Sequence, residues 1–527
     1  MIDKRPTPLL LVFSALSLLL LCLTGCAGST QPVPEPVETS ASEVPSAAER
    51  PLRIVLNEAL PTLDPHRHLA LIAYAVLGNI YESLVSWDAE SLVEPGLAER
   101  WDTEDFRSWT FYLRPEARFH DGSPLTVDDV LFSLQRASAH PSSMVSGFLK
   151  SVERFEAGPE PGSVVLELVR ADPFFLDGLV HVSIVPRGAP DEITEPVGSG
   201  PYRLVSYEAG RSIVLERFEQ GPAPLPTERD VEFLIEADME TSVARLERGE
   251  VDLVYGLPAT LVERVEQDAE LWVKSRLGRG VSFLDLNMGR EPFDDVRVRQ
   301  AVDLALDREA LVRDVTLNHS RVAGQLLTPS IMGHDPEIEP TVRDLEAARR
   351  LLAEAGFDAE SPARFRLETT DAYAPSAEAV ARQLGEAGFE VEVMPRDWPE
   401  LYADLVAGKP TARLGFWMFD SADGGMYFAS VTHSRSADGK WGGSSTYAPG
   451  TETDEALEAE IRSIFELSDP ARRATRLKEL NRRVTALDLR LPLLWPMELY
   501  GLQRRLQWHA RSDGALRARD MVRNLDP

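Results

Sequence analysis

The sequence predicts an α/β fold with parallel strands, and three observations support this class. The chain has 527 residues, enough for two to four domains at roughly 100–200 residues each. Strand-like and helix-like periodicities alternate along the chain after residue 50. Two segments, 231–254 and 365–418, have the β-α-β order that usually builds a parallel sheet.

The first β-α-β segment has clear end signals. Val231 to Ile235 is an apolar strand, and Met239 to Arg248 has the spacing of an amphipathic helix. Gly249 stands where a left-handed residue ends such a helix, and Val251 to Val254 is the returning strand. Because short crossovers join parallel strands, we expect these two strands to pair in parallel.

The second segment has the order β-α-β-α-β, with strands at 365–368, 389–394 and 413–418. Four residues are expected to cap its two helices, in chain order Ser376, Gly388, Asp397 and Gly408. The third strand leads directly to Asp420. Open parallel sheets bind ligands beyond the carboxyl ends of their strands, so Asp420 is a candidate ligand-binding residue. Its position alone is equally typical of an aspartate that caps a helix or forms a turn.

The charge balance excludes one class of partner. Acidic residues number 85 and basic residues 55, giving a formal net charge of −30. Nucleic acid requires a basic surface, so we expect no nucleic acid among the partners. The acidity itself favours solubility.

The first 50 residues have the features of an export signal and a tether. Lys4 and Arg5 precede an almost wholly apolar stretch, 9–21, which is too short to span a membrane comfortably. It is followed by Cys26 in a segment that resembles the bacterial lipobox, although an ordinary signal peptide remains an alternative. We therefore expect a signal peptide at 1–25, lipidation of Cys26, and a disordered Pro- and Ser-rich tether at 26–50.

Cysteine usage and motif content argue against cofactors and catalysis. Cys22 and Cys26 are the only cysteines, so the mature chain has no pair for a disulfide, a zinc site or a redox centre. No G-x-S-x-G elbow, H-E-x-x-H helix or phosphate loop is present. We expect no enzyme activity and no cofactor, and keep a hydrolase as the least favoured alternative.

A series of motifs runs through nearly all of residues 51–527. In chain order they are Leu63-Asp64-Pro65, Asn79 to Leu84, Glu94 to Trp101, Phe119 to Val130, Gly198 to Tyr202, Gly249 to Asp252 and Pro292 to Ala301. Their content and order resemble the bacterial extracellular solute-binding proteins of family 5. This family includes oligopeptide-, dipeptide- and nickel-binding proteins.

The resemblance implies a particular architecture. It is the large (cluster C) form of the type II periplasmic-binding-protein-like fold, a two-lobed clam-shell with an extra domain. Lobe I would take 51–90, 195–280 and 487–527, the extra domain (lobe II) 91–194, and lobe III 281–486. Ligand would bind between lobes I and III, which close about a hinge.

The resemblance also implies a function. The chain would be a monomeric lipoprotein outside the cytoplasm, anchored to a membrane by lipid. It would capture short peptides and deliver them to the permease subunits of an ABC importer. Three alternatives remain open: a non-peptide solute such as a sugar, an opine or chelated nickel, a sensor role instead of import, and a hydrolase.

The candidate site follows from the same resemblance. Asp420 matches the aspartate that pairs with the ammonium group of a peptide, and Trp417 would form an aromatic wall. Asp423 lies in the same loop, where relatives usually have Asp-Pro and this chain has Asp423-Gly424. Ala70 and Leu71 match a segment that borders the ligand. The sequence identifies no arginine that must bind a ligand carboxylate. Arg279 and Arg435 are the two candidates, and a surface position is the favoured interpretation of each.

Several other polar residues have structural interpretations. Thr126 is expected to cap a helix with Asp129 facing it, which makes a capping box. His120 is expected to be hydrogen-bonded within its own turn, not to bind a metal. His433 is the one histidine that suggests chelated nickel, but a single histidine without partners is more often structural.

Overall fold

A computed structural model describes residues 50–68, 70–419, 421–434, 442, 455–467 and 469–524. Six of the residues discussed above lie outside the described residues: Lys4, Arg5, Cys22, Cys26, Asp420 and Arg435. The helix that begins at Leu71 is described, but the side chain of Leu71 is not.

Twenty strands lie within the described residues. They are β1 (Leu52–Leu56), β2 (Val85–Trp87), β3 (Val93–Pro95), β4 (Ala98–Asp102), β5 (Ser108–Leu113), β6 (Val152–Ala157), β7 (Ser163–Leu168), β8 (Tyr202–Glu208), β9 (Ser212–Arg217), β10 (Asp230–Ile235), β11 (Leu253–Tyr255), β12 (Leu271–Leu277), β13 (Gly280–Leu286), β14 (Ser320–Val322), β15 (Arg364–Thr369), β16 (Glu390–Pro395), β17 (Ala412–Met418), β18 (Arg490–Gln503), β19 (Leu506–Gln507) and β20 (Val522–Arg523).

Thirteen α-helices lie in the same ranges. They are α1 (Leu71–Leu77), α2 (Val127–Ala139), α3 (Phe175–Leu179), α4 (Met239–Glu247), α5 (Val262–Glu266), α6 (Val296–Ala305), α7 (Arg308–Asp314), α8 (Leu345–Glu354), α9 (Ala374–Ala387), α10 (Trp398–Val406), α11 (Gly424–Tyr427), α12 (Glu455–Ile464) and α13 (Pro470–Thr485). In the described part of the chain, no helix is both long enough and apolar enough to cross a bilayer.

One twelve-stranded sheet connects most of the molecule. Its order is β16-β15-β17-β13-β18-β11-β1-β10-β9-β8, with β12 and β14 also paired to β18. The strand β18 is 14 residues long. Residues 490–494 of β18 pair with β13, and residues 497–503 pair with β12. The two halves of the sheet are therefore continuous through β18.

Each half of the sheet has its own buried core. Residues of β1, β9 and β10 pack with α1 on one half, and residues of β13, β15 and β17 pack with α6 and α9 on the other. A separate four-stranded antiparallel sheet, β4-β5-β7-β6, has a third core with α2.

The predicted β-α-β units are present, with one correction. The strands β15, β16 and β17 are parallel, as expected, with β15 in the middle. The strands β10 and β11 are also parallel, but they do not pair with each other, because β1 lies between them and pairs with both. The intervening strand comes from far earlier in the chain, so local spacing could not reveal it.

Most predicted helix ends are confirmed. Gly249 and Gly388 have φ values of +68° and +108°, in the left-handed region that glycine adopts without strain. The side chain of Asp129 accepts the N–H of Thr126 at 2.8 Å and its hydroxyl at 2.6 Å, which completes the capping box. The predicted N-cap at Ser376 is wrong: α9 begins at Ala374, with a proline in its first turn.

Candidate ligand-binding site

A cavity of about 660 Å³ lies beside the middle of β18. Its walls come from the segment after Asp64 and from α1, from the end of β17, from the β12–β13 connection, and from residues 511–520. The volume falls in the range of sites that enclose small molecules. Segments that are distant in the chain therefore converge on one cavity.

The end of β17 contributes Phe416, Met418 and Phe419 to the cavity. The ring of Phe416 lies directly over Gly280, where a Cβ atom would be only 2.1 Å from the ring. The same ring stacks on Tyr373, with centroids 6.2 Å apart. A residue without a side chain at position 280 therefore allows Phe416 to reach the cavity wall.

Arg279 and Glu498 contribute charge at the point where the chain passes between β12 and β13. Both residues line the cavity, and the guanidinium of Arg279 lies 4.9 Å from the centre of the Trp87 ring. The carboxylate of Glu498 accepts the hydroxyl of Tyr500 at 2.8 Å. Burial raises the pKa of Glu498, although the hydrogen bond from Tyr500 and the nearby arginines act in the opposite direction.

Other charged groups of the wall are held in ion pairs. Arg114 binds both carboxylate oxygens of Glu82, at 3.1 and 3.0 Å. Arg511 pairs with Asp513 at 2.8 Å. These side chains contribute both signs of charge, so the wall has no strong excess of either.

The sequence-predicted site residues occupy different surroundings. Asp420 lies outside the described residues but directly follows Phe419, which lines the cavity. The Trp417 ring meets Tyr427 edge to face at 5.5 Å and is not part of the cavity wall. Because side chains alternate along a strand, Trp417 lies on the opposite face of β17 from Phe416 and Met418. Its role as an aromatic wall stays a prediction.

Asp423 has structural partners. It is buried, its carboxylate accepts the N–H of Gly425 at 2.9 Å, and it forms an ion pair with Arg473. Asp423 is therefore the N-cap of α11. It is not part of the cavity wall, and its role in ligand binding stays a prediction.

Ala70 and Leu71 lie at the start of α1. Ala70 is the N-cap residue, and its carbonyl accepts the N–H groups of Ala73 and Tyr74 at 3.1 and 3.2 Å. The cavity wall in this region is formed by His68 and Tyr74, one on either side of the predicted pair. The roles of Ala70 and Leu71 in ligand binding stay a prediction, and sequence reasoning did not name His68 or Tyr74 as site residues.

The predicted histidine roles can be compared with the hydrogen bonds. His120 is buried, but its partners lie outside its own turn: it accepts the N–H of Gly198 at 3.3 Å and donates to the carbonyl of Gly200 at 3.1 Å. His433 contacts the Ser434 carbonyl at 2.8 Å and Arg462 at 2.7 Å. Among the described residues, no group of three His, Cys, Asp or Glu side chains could hold a metal ion.

Comparisons with known proteins identify the family. The family model described as bacterial extracellular solute-binding proteins, family 5 middle, matches residues 93–439. The periplasmic oligopeptide-binding protein OppA of Salmonella typhimurium is 31% identical over 382 residues, which cover 65% of this chain and 70% of OppA. The dipeptide-binding protein of Escherichia coli is 27% identical, covering 67% of this chain and 72% of its own.

Solved structures have the same fold. The periplasmic binding protein DppA of Helicobacter pylori, in complex with the peptide STSA, has a TM-score of 0.74 at 20% identity, and the match covers 90% of this chain and 98% of DppA. NikA of Brucella suis, in complex with Fe(III)-EDTA, has a TM-score of 0.80 at 21% identity, covering 90% and 99%. The predicted fold class, α/β and of the type II periplasmic-binding-protein kind, is confirmed. The chain belongs to family 5 of the bacterial extracellular solute-binding proteins.

Proposed function

We propose that the protein captures short peptides outside the cytoplasm and delivers them to the permease of an ABC importer. Membership of the family supports the solute-binding role in ABC import, and the peptide is our choice of ligand. The curated relatives described above are named as oligopeptide- and dipeptide-binding proteins. We further propose that the protein acts as a monomer, anchored through a lipid on Cys26, and releases its ligand unchanged.

The observation that carries the proposal is the cavity at the carboxyl end of β17. Three of the four residues before Asp420 in the chain, Phe416, Met418 and Phe419, line the cavity. A carboxylate at this position would supply the fixed negative charge that a buried ammonium group needs. Without such a partner, the buried charge would cost several kcal/mol, on the order of 3–5.

A peptide also needs a partner for its carboxylate. Arg279 is buried and lines the same cavity, which supports it as the cation for the opposite end of a zwitterion. Guanidinium groups bind carboxylates through two parallel hydrogen bonds, which fixes orientation as well as charge. The mixed charge of the wall suits a solute with no net charge.

We propose that ligand is enclosed by closure of lobe I (51–90, 195–280, 487–527) against lobe III (281–486), with lobe II (91–194) beside them. The strand pairing supports a hinge at the proposed boundary, because β12 ends at Leu277 and β13 begins at Gly280. The long strand β18 crosses the same level. Closure of this kind shifts a population between open and closed states when ligand binds the closed one more tightly.

A thermal-shift screen of the purified protein tests the proposal. The ligands are alanine peptides of two to five residues, sugars, opines and chelated nickel, and the variant is Asp420→Asn. The exposed Asp294 provides the matched control, Asp294→Asn, which removes the same charge elsewhere. Ligand that binds only the native state raises the free energy of unfolding by roughly 2.7 kcal/mol at a hundred times the Kd, and the melting temperature rises with it.

Peptides should stabilise the wild-type protein and Asp294→Asn, but not Asp420→Asn. Mass spectrometry of the recovered peptide should find it intact. If only a non-peptide solute raises the melting temperature, the family assignment stands and the peptide proposal is wrong.

A further inference from the structure

Two arginines share one buried aspartate where β17, β13 and β18 lie side by side. Asp285 of β13 accepts hydrogen bonds from two nitrogen atoms of Arg490 in β18, and a nitrogen of Arg413 in β17 lies 3.0 Å from the same carboxylate. The Cζ atoms of Arg413 and Arg490 lie 5.0 and 4.2 Å from the centre of the Phe283 ring. These three charged side chains are at most 10% exposed, and we call them the Asp285 cluster.

The Asp285 cluster has one positive charge in excess. Arg413 and Arg490 have a single carboxylate between them, and neither forms an ion pair with another acidic side chain of the described residues. Burial lowers the pKa of Arg413 against the effect of Asp285, and the second arginine lowers it further. Because a buried charge without a counter-charge is strongly unfavourable, the cluster favours the binding of an anion.

A small cavity of about 20 Å³ borders the cluster. Asp285 and Arg490 line it together with Tyr427 and Thr432. Its volume exceeds the roughly 10–15 Å³ that a single water molecule needs, so one small ion fits. No described residue lines both this cavity and the larger one of about 660 Å³, so the two cavities are separate.

The side chains around the small cavity are rich in hydrogen-bond donors. Arg490 has five N–H groups, and its hydrogen bonds to Asp285 and Tyr427 use three of them. The Tyr427 hydroxyl accepts one of these bonds at 3.1 Å, so its own hydrogen remains for another acceptor. Thr432 is buried at the end of the π-helical turn Phe428–Thr432 and adds a second hydroxyl. Such donors, beside an excess positive charge, suit an acceptor with a negative charge.

We propose that the small cavity binds one monovalent anion, with chloride as the simplest case, through Arg490, Tyr427 and Thr432. The ion neutralises the excess charge of the Asp285 cluster, whereas a water molecule does not. It also connects β18 with α11 and the turn after it, which are distant in the chain. The site is independent of the transported solute, and its expected effect is a stability that depends on chloride.

Thermal unfolding of the purified full-length protein tests the proposal with sodium chloride, bromide and gluconate at equal ionic strength. Chloride and bromide, but not the larger gluconate, should raise the melting temperature, by about 1–2 °C at a tenfold excess over the Kd. The rise should saturate as chloride replaces gluconate. Arg413→Met removes the excess charge but keeps the pair of Asp285 and Arg490, so it should fold and lose this rise. Arg364→Met, which removes an exposed arginine paired with Glu390, should keep it.

Thr432→Val leaves the charges unchanged and removes one donor, so it should need a higher chloride concentration for the same rise. This variant also serves if Arg413→Met does not fold. Diffraction at the bromine absorption edge, from crystals grown in sodium bromide, should locate the ion beside Arg490. Equal melting temperatures in chloride and gluconate, or no bromide at this position, would show that the cavity holds only water and would overturn the proposal. A full chloride response in Arg413→Met would overturn it as well.

Discussion

At the scale of single residues, Asp423 and Arg473 form an ion pair almost fully removed from water, with side chains 1% and 2% exposed. The Arg473 guanidinium also lies 4.6 Å from the centre of the Phe174 ring, which belongs to a distant segment. Removing one partner leaves the other charge buried without compensation. The pair is therefore a structural link between α11, α13 and the segment before α3.

We expect Asp423→Asn and Arg473→Met each to lower the free energy of unfolding by about 3–5 kcal/mol. The double variant should be less destabilised than the sum of the two, because no unpaired charge remains. Urea unfolding followed by circular dichroism provides the measurement. Arg476→Met, on the same helix but 45% exposed, is the control and should change stability by about 0–1 kcal/mol. Equal losses at positions 473 and 476 would contradict this assignment.

His120 should make stability depend on pH. Burial lowers the pKa of His120 from 6.5 to about 4, so the folded protein takes up this proton later than the unfolded chain. The contribution of neutral His120 to the free energy of unfolding is therefore complete above pH 6.5. This contribution is lost as the pH falls from 6.5 towards 4. The shift corresponds to about 3 kcal/mol at 1.36 kcal/mol for each pKa unit.

Unfolding in urea at pH 7 and pH 5 checks this expectation. His120→Asn should be less stable than the wild type at pH 7 but should lose less stability between the two pH values. His509→Asn, at an exposed position, should follow the wild type at both. If His120→Asn kept the full pH dependence of the wild-type stability, that dependence would belong to other groups.

At the scale of elements, two glycines provide opposite tests. A Cβ atom at position 280 in β13 would lie 2.1 Å from the Phe416 ring, whereas one at position 385 in α9 would meet nothing within 4 Å. Gly280→Ala should therefore destabilise the protein by about 1–3 kcal/mol through overpacking. Gly385→Ala should stabilise it by about 0.5–1 kcal/mol, because alanine favours a helix. Thermal unfolding of both variants gives the comparison.

The same Gly280→Ala substitution should also weaken ligand binding, since Phe416 must move from its place in the cavity wall. Gly385→Ala should leave binding unchanged. A Gly280→Ala protein with wild-type stability and wild-type affinity would show that the Phe416 ring relaxes without cost.

Elements with strong local signals were predictable from the sequence. The order of β15, α9, β16, α10 and β17 follows from periodicity and helix ends, which depend on neighbouring residues. The insertion of β1 between β10 and β11 could not be predicted, because it depends on pairing between distant segments. The cavity wall is still harder to predict, because His68, Trp87 and Phe416 come to line one cavity only after the chain has folded.

The side of a strand on which a residue lies was the second feature that the sequence did not predict. Trp417 and Phe416 are adjacent aromatic residues, and their positions in β17 send them to opposite sides. The sequence pattern alone does not say which side borders a cavity. The neighbouring Gly280 is the signal that identifies the Phe416 side, but its contact depends on the register between β13 and β17.

At the scale of the whole molecule, the formal net charge of −30 should make stability depend on salt. Like charges repel in the compact state, and raising the ionic strength from 0.01 M to 0.1 M shortens the screening length from about 30 to about 10 Å. We expect the melting temperature to rise over this range. Sodium, potassium and choline chlorides should have equal effects. A fall in melting temperature would mean that attractive ion pairs outweigh the repulsion.

The position of β18 in the chain has a consequence for biosynthesis. It pairs with β11, β12, β13 and β14, all of which precede it. Until the ribosome has made β18, neither half of the large sheet can be completed. The order of synthesis therefore delays completion of the large sheet until most of the chain has been made.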